Sequence, residues 1–217
     1  MHSVSPSRLP PGCVARVDAL LRAGRRVVLG LAGAPGAGKS TLAQALHALA
    51  PRDSAVVPMD GFHLAGAELE RLGLAARKGA PDTFDSAGYV ALLERLRAPR
   101  DGETVYAPTF RRDLEEPVAG AVAVPPDVKL VITEGNYLLL PHGHWARVAD
   151  LLDEAWFVEI DDALRRQRLL LRHRAHGRSR AQALSWIEQT DEPNARLVAS
   201  TRAAAHAVLR LDDGAAG

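Results

Sequence analysis

The feature that most constrains this chain is a glycine-rich octapeptide, Gly33-Ala34-Pro35-Gly36-Ala37-Gly38-Lys39-Ser40, followed at once by Thr41. It satisfies G-x-x-x-x-G-K-[ST] without a mismatch. Before it, Val27-Val28-Leu29-Gly30-Leu31 is an apolar run suited to a buried strand, and after it residues 41–49 carry apolar side chains at helical spacing. A strand that turns through glycines into a helix leaves the first N–H groups of that helix unpaired and facing the turn, where the helix dipole adds positive potential. Residues 33–41 therefore read as a phosphate cradle. Lys39 would reach the β- and γ-phosphates and the Ser40 hydroxyl would ligate Mg²⁺, so the cradle implies a nucleoside triphosphate.

The rest of the chain alternates similar apolar runs with helical patterns. Strands are expected at 55–59, 129–133, 155–160 and 207–211 in addition to 27–31. Helices are expected at 14–21, stopping at Gly24, around 68–72, at 86–96 with Ser86 as N-cap, and at 145–152. A long arginine-rich helix capped by Asp161 or Asp162 should run to Gly177, a further one capped by Ser179 should reach about 189, and another segment follows Pro193. Residues 104–110 read as extended and 118–124 as a short edge strand, while the chain up to residue 11 looks like a loose arm. The pattern predicts an α/β fold, a three-layer arrangement around a five-stranded parallel sheet, with residues 1–217 forming a single domain. Residues 60–127 would form a small acceptor-site insertion and residues 161–190 a helical lid.

Ligands of such a sheet lie beyond the carboxyl ends of its strands. Two carboxylates fall there. Asp60, in Pro58-Met59-Asp60-Gly61-Phe62-His63, could take the proton of an attacking hydroxyl. Glu134, at the end of Leu130-Val131-Ile132-Thr133, stands where a metal-associated acid belongs. The following residue is Gly135 and not a second acid that would polarise water, which favours transfer to a bound acceptor over hydrolysis. On the long helix Arg165, Arg168 and Arg172 share one face, and Arg178 follows near its end. Arg168, Arg172 and Arg178 are the lid candidates, and Arg172 joins Asp60 and Lys39 as a candidate catalytic residue because a lid arginine neutralises charge on a transferring phosphoryl group. His63 follows Asp60 closely enough to face an acceptor. The pairs His142/His144 and His173/His176 lack cysteine or carboxylate company at zinc-like spacing.

Composition excludes several classes. A net charge of +1 over 217 residues gives no whole-protein field for nucleic acid or an anionic membrane. A single cysteine, Cys13, rules out an internal disulfide framework and fits a reducing cytosol, and no segment approaches a membrane span, so the expected location is cytoplasmic.

Three segments together carry a resemblance. The GAPGAGKST loop, the PMDGFH segment and the strand-terminal TEGNYLLL resemble the uridine kinase, phosphoribulokinase and pantothenate kinase branch of P-loop kinases, with bacterial nucleoside/nucleotide kinase-like and fructokinase-like proteins nearest. The likeness runs from about residue 25 to 211. It implies an ATP-dependent kinase using Mg²⁺, with Asp60 as catalytic aspartate and Glu134 as the acidic metal-associated residue. Pro81-Asp82-Thr83-Phe84-Asp85 is similar to the family's Phe-Asp segment, and Tyr106 through Arg112 resembles its Tyr-x-x-x-x-x-Arg segment, so Phe84, Asp85, Tyr106 and Arg112 become acceptor-site candidates beside His63. The acceptor would be a small molecule, namely a nucleoside, a sugar or a pantothenate-like alcohol, with a homo-oligomer as a possible assembly. A P-loop switch or regulatory ATPase acting through a protein partner is the alternative. A GTPase would need an Asn-Lys-x-Asp guanine reader, which the sequence lacks.

Overall fold

Strand β1, Val27–Ala32, is buried along its whole length. Its side chains divide between two cores, Val28 and Ala32 on one face, Leu29 and Leu31 on the other. The two strands that flank it divide in the same way. In the segment Leu130–Gly135, Val131 joins the first core and Ile132 the second, and in Glu154–Glu159, Phe157 joins the first and Trp156 the second. Each fully buried aliphatic side chain contributes roughly 1.5–3 kcal/mol, so a sheet with both faces covered is strongly specified by runs of this kind.

The computed structural model describes residues 9–211. The expected loose arm lies outside the described residues as far as residue 8. The strands are β1, β2 (Ser54–Pro58), β3 (Val105–Arg111), β4 (Glu116–Val124), β5 (Leu130–Gly135), β6 (Glu154–Glu159) and β7 (Ala207–Arg210). The helices are α1 (Cys13–Leu21), α2 (Lys39–His47), α3 (Gly66–Arg71), α4 (Ser86–Arg97), α5 (Asp162–Ala175), α6 (Arg180–Trp186) and α7 (Glu192–Ala199). Five strands form one parallel sheet in the order β2-β5-β1-β6-β7. Helices α1 and α2 cover the Leu29 face, and α4 covers the Val28 face through Tyr89, Leu93 and Leu96. The five-stranded parallel α/β fold expected from the sequence is thus the observed one.

Residues 59–124 sit between β2 and β5, which are neighbours in the sheet, and carry α3, α4 and the hairpin β3–β4. The hairpin is a separate two-stranded antiparallel sheet, so residues 116–124 pair with 105–111 and not with an edge of the main sheet. It presses on the turn that holds Asp60. A Cβ on Gly61 would lie 2.4 Å from the Pro108 carbonyl oxygen, so only glycine admits this approach.

Several local expectations are corrected. The N-cap of α4 is Asp85, whose carboxylate accepts from the Gly88 N–H at 2.8 Å, and Ser86 is the first helical residue. Residues 143–151 form two short 3₁₀ turns in place of one helix. Of the two aspartates before α5, Asp161 is the cap, accepting from Leu164 N–H at 3.1 Å. The helix capped by Ser179, with its reciprocal Gln182 contact, ends at Trp186 and passes into a π-turn over Ile187–Asp191.

Candidate active site

The sheet register explains why distant residues meet. Glu134 of β5 pairs with Leu31 of β1 on one side and with Pro58 of β2 on the other. The glycine-rich loop leaves β1 and the Asp60 turn leaves β2, so all three open on one cavity of about 560 Å³ at the carboxyl ends of the strands. Strand β5 is anchored there by a short chain of hydroxyls. Thr133 Oγ1 donates to the Val57 carbonyl at 2.7 Å, which leaves its lone pairs to accept from the Tyr89 hydroxyl at 2.6 Å.

One wall is the glycine-rich loop. Gly38 holds φ at 94°, a left-handed value that starts α2 and turns its first N–H groups to the cavity. Gly33 lies where a Cβ would come within 2.6 Å of the Val158 carbonyl oxygen, so the loop can lie flat against β6 only as glycine. The buried Lys39 donates from Nζ to Ala34 O at 3.0 Å and to Asn136 Oδ1 at 2.7 Å. Burial lowers its pKa, while Glu134 and Asp60 act in the opposite sense. Ser40 Oγ donates to Glu134 Oε1 at 2.8 Å. Burial raises the Glu134 pKa, and the facing Asp60 raises it further. The carboxylate and hydroxyl are hard oxygen donors, and the charge of the two facing acids favours a divalent cation. Among the described residues there is no group of three or more His, Cys, Asp or Glu side chains able to hold a metal. A Mg²⁺ ion, which keeps waters and takes phosphate oxygens, fits this sparse donor set; a fully protein-caged metal does not.

The opposite wall comes from the insertion. Asp60 stands in a 3₁₀ turn, Met59–Phe62, with Arg112 Nη2 3.9 Å from its Oδ2. His63 Nδ1 lies 2.8 Å from the Asp60 carbonyl oxygen, and its ring is sandwiched by Phe84 and Phe110, with centroids 4.0 and 4.8 Å away. Burial lowers the His63 pKa, which keeps the ring neutral. Neutral His63 is the Nδ1–H tautomer, since a carbonyl oxygen can only accept. Lys78 extends over the Phe110 ring at 5.1 Å and donates to Glu115 O at 2.6 Å.

Helix α5 closes the third side. Leu169 and the Arg165 carbonyl pack on Gly36 so tightly that a Cβ there would meet Leu169 Cγ at 2.9 Å. Arg168 and Arg172 face the cavity, and burial followed by the nearby Arg112 lowers the Arg172 pKa. Arg165 does not share their role. Its side chain is buried and pairs with Glu192 at 2.7 Å and Asp162 at 3.0 Å. The three positions share one face as expected, seven residues being about 20° short of two full turns, but Arg165 stands about 10 Å nearer the start of α5 than Arg172, where Glu192 holds it.

Of the residues singled out from sequence, the loop residues 35, 36 and 38–41 line the cavity with Asp60, His63, Phe84, Arg112, Glu134, Arg168, Arg172 and Arg178. Two do not. Asp85 is spent as the α4 cap and points away, and Tyr106 is 58% exposed on the outer face of the hairpin, since alternation in β3 sends it opposite to the buried Val105 and Ala107. Sequence reading missed Lys78, Asn136, Trp186 and the buried pair His173–Asp191. For Asn136 the signal was its place two residues beyond Glu134; for the others there was none, because Lys78 reaches the cavity from the insertion and the rest come together only through the turn after α5.

The family model described as Phosphoribulokinase / Uridine kinase family matches residues 28–211. The chain belongs to that family. It is 34% identical over 185 residues to a provisionally named uridine kinase of Schizosaccharomyces pombe, covering 81% of this chain and 78% of the relative. It is 35% identical over 194 residues to the uncharacterized protein YggC of Escherichia coli, covering 87% and 79%. Among solved structures, a protein of Silicibacter sp. TM1040 provisionally named a fructose transport system kinase superposes with a TM-score of 0.82 at 36% identity, covering 91% of this chain and 98% of that one. This P-loop kinase family is one of phosphotransferases, and the cavity lies where the family's fold puts its chemistry. Among the described residues no helix is long and apolar enough to cross a membrane.

Proposed function

We propose that this family member transfers the γ-phosphoryl group of ATP to a hydroxyl of a small metabolite. The observation that carries the reading is the single cavity in which the loop, Lys39 and the Ser40–Glu134 pair face the Asp60 carboxylate across space lined by His63, Phe84 and Phe110. The loop N–H groups and Lys39 bind the triphosphate, phosphate oxygens replacing Ala34 O and Asn136 Oδ1 as partners of Nζ. Asp60 accepts the proton of the acceptor hydroxyl as its oxygen attacks the γ-phosphorus and the bond to the β,γ-bridging oxygen breaks. Arg168 and Arg172 hold the charge that spreads over the γ-oxygens, and the aromatic wall around His63 excludes water from the acceptor carbon skeleton. Ser40 and Glu134 would hold Mg²⁺, which supplies charge neutralisation between the β- and γ-phosphates. Arg112 and Lys78 are positioned to select the acceptor.

The test is a screen of acceptor-dependent ADP release with nucleosides, sugars and pantothenate-like alcohols. Stimulation by one class supports a kinase and names the acceptor. Slow hydrolysis indifferent to every small alcohol, but raised by a protein partner, would replace the reading with a regulatory ATPase.

Glu134→Gln separates stability from activity. A carboxyl whose folded pKa is raised holds its proton more tightly in the fold than in the unfolded chain. It therefore favours the fold below the ordinary glutamate range near ~4.3, and this contribution is lost as pH rises through the raised value. Once ionised, Glu134 is a net cost to the fold. The glutamine variant is expected to melt a few degrees higher than wild type at about pH 7–8, with the gain shrinking toward pH 4, while Mg²⁺-dependent turnover falls by about 10²-fold. Thermal melts across pH, set beside a Mg²⁺ titration of activity, read both effects.

A further inference from the structure

Beyond the transfer machinery, the cavity is bordered by a buried chain of contacts that sequence patterning did not reveal. His173, on the last turns of α5, lies 2.7 Å through Nε2 from Asp191 Oδ2 and 2.7 Å through Nδ1 from Arg178 Nη1. Both His173 and Asp191 are buried, at 8% and 6% exposure. A guanidinium can only donate, so Nδ1 must be the acceptor, and the ring proton sits on Nε2 facing the carboxylate. Arg178 also lies flat on the Trp186 indole, 4.1 Å from the ring centroid. It follows Gly177, whose φ of 89° turns the chain sharply out of α5. Asp191 is brought to His173 by the π-turn Ile187–Asp191, in which an inserted residue rotates the helix face toward α5.

We propose that His173 and Asp191 are positioning residues for Arg178. Asp191 fixes the imidazole tautomer, the imidazole holds Nη1 of the guanidinium, Trp186 backs its plane, and the side chain lines the cavity. Arg178 then meets the γ-phosphate with its rotamers already set, where an arginine on an unsupported turn would first have to be ordered. The arrangement has a polarity: a protonated imidazole has two donors and cannot accept from Arg178. The inference rests on the kinase reading of the cavity and adds to it three residues drawn from α5, α6 and the π-turn.

The test does not need the acceptor. Binding of Mg-ADP and of the Mg-bound β,γ-imido analogue of ATP is measured by titration calorimetry for wild type, Arg178→Ala, His173→Phe and the double variant. Arg178→Ala is expected to weaken the imido analogue by about tenfold and to leave ADP within about twofold, the loss fitting one charge-assisted hydrogen bond. His173→Phe should reproduce part of that loss for the analogue alone, and the double variant should be no weaker than Arg178→Ala. Wild-type affinity in His173→Phe beside a weakened Arg178→Ala, or additive losses in the double variant, would overturn positioning. Unchanged affinity in Arg178→Ala would remove the phosphate contact itself. A wild type that binds neither nucleotide would instead remove the kinase reading, and the inference with it. Imidazole ¹⁵N spectra of the unmodified protein give an independent readout that needs no variant: His173 is expected with Nε2 protonated and Nδ1 bare, and the opposite tautomer overturns the arrangement.

Discussion

Lys39→Ala is expected to lower phosphoryl transfer by about 10²–10³-fold and to weaken triphosphate binding with it. Lys39 is the buried cation between the loop and the two strand-end carboxylates, with its ammonium already placed by Ala34 O and Asn136 Oδ1. Burial lowers its pKa, so the fold holds this charge at a cost that only an anionic partner offsets. On the proposed function, a bound triphosphate is that partner. Alanine removes the attraction and also the cation that restrains Glu134, whose pKa should climb further, so Mg²⁺ affinity is expected to fall together with nucleotide affinity. Lys39→Arg should not restore function, because the planar guanidinium cannot place a compact charge between Ala34 and Asn136. Calorimetry with Mg-ATP and single-turnover transfer test this. Unchanged affinity and unchanged rate in the alanine variant would sink the assignment of residues 33–41 as the triphosphate site.

The donor half of the cavity was legible in the sequence because it is local. The glycine-rich loop, Lys39, Ser40 and Thr41 are contiguous, and the apolar runs on either side of the loop dictate strand and helix by periodicity alone. Asp60 and Glu134 were legible by one further rule, that β2 and β5 are buried parallel strands whose carboxyl ends face the same crevice. Legibility then fell with sequence distance. Tyr106 lies outside the cavity because strand alternation, which sends it outward, depends on which face of β3 the core claims. Asp85 lies outside it because a short acid before a helix has two uses, and here it caps α4. Arg165 shares the face that spacing gave it with Arg168, yet it lies nearer the start of α5, where Glu192 of α7 holds it. The cluster of His173, Arg178, Trp186 and Asp191 could not be read at all, since a π-turn has no period of its own and its effect on the face of a helix appears only in three dimensions.

Asp60→Asn is the sharpest division between binding and chemistry. Asparagine keeps the size of the side chain and one carbonyl oxygen for Arg112, whose Nη2 lies 3.9 Å from the present carboxylate, so the Met59–Phe62 turn should keep its place against Pro108. What is lost is the capacity to take a proton. Loss of a positioned base costs about 10²–10⁴-fold in turnover. The Asp60 charge also raises the Glu134 pKa, so its removal eases ionisation of Glu134 and offsets part of the attraction for Mg²⁺ lost with the second acid. The expected result is therefore nearly wild-type affinity for Mg-ATP with transfer reduced by two or more orders of magnitude, about 3 kcal/mol or more of lost transition-state stabilisation. Glu134→Gln should give the contrasting pattern, in which turnover and metal dependence fall together. If Asp60→Asn keeps transfer within a few-fold of wild type, the base lies elsewhere, and His63, beside the Asp60 turn, is a proton acceptor that could serve. That ring already gives its Nδ1 proton to the Asp60 carbonyl, leaving Nε2 as the free acceptor, so the double variant Asp60→Asn/His63→Phe would then decide between them.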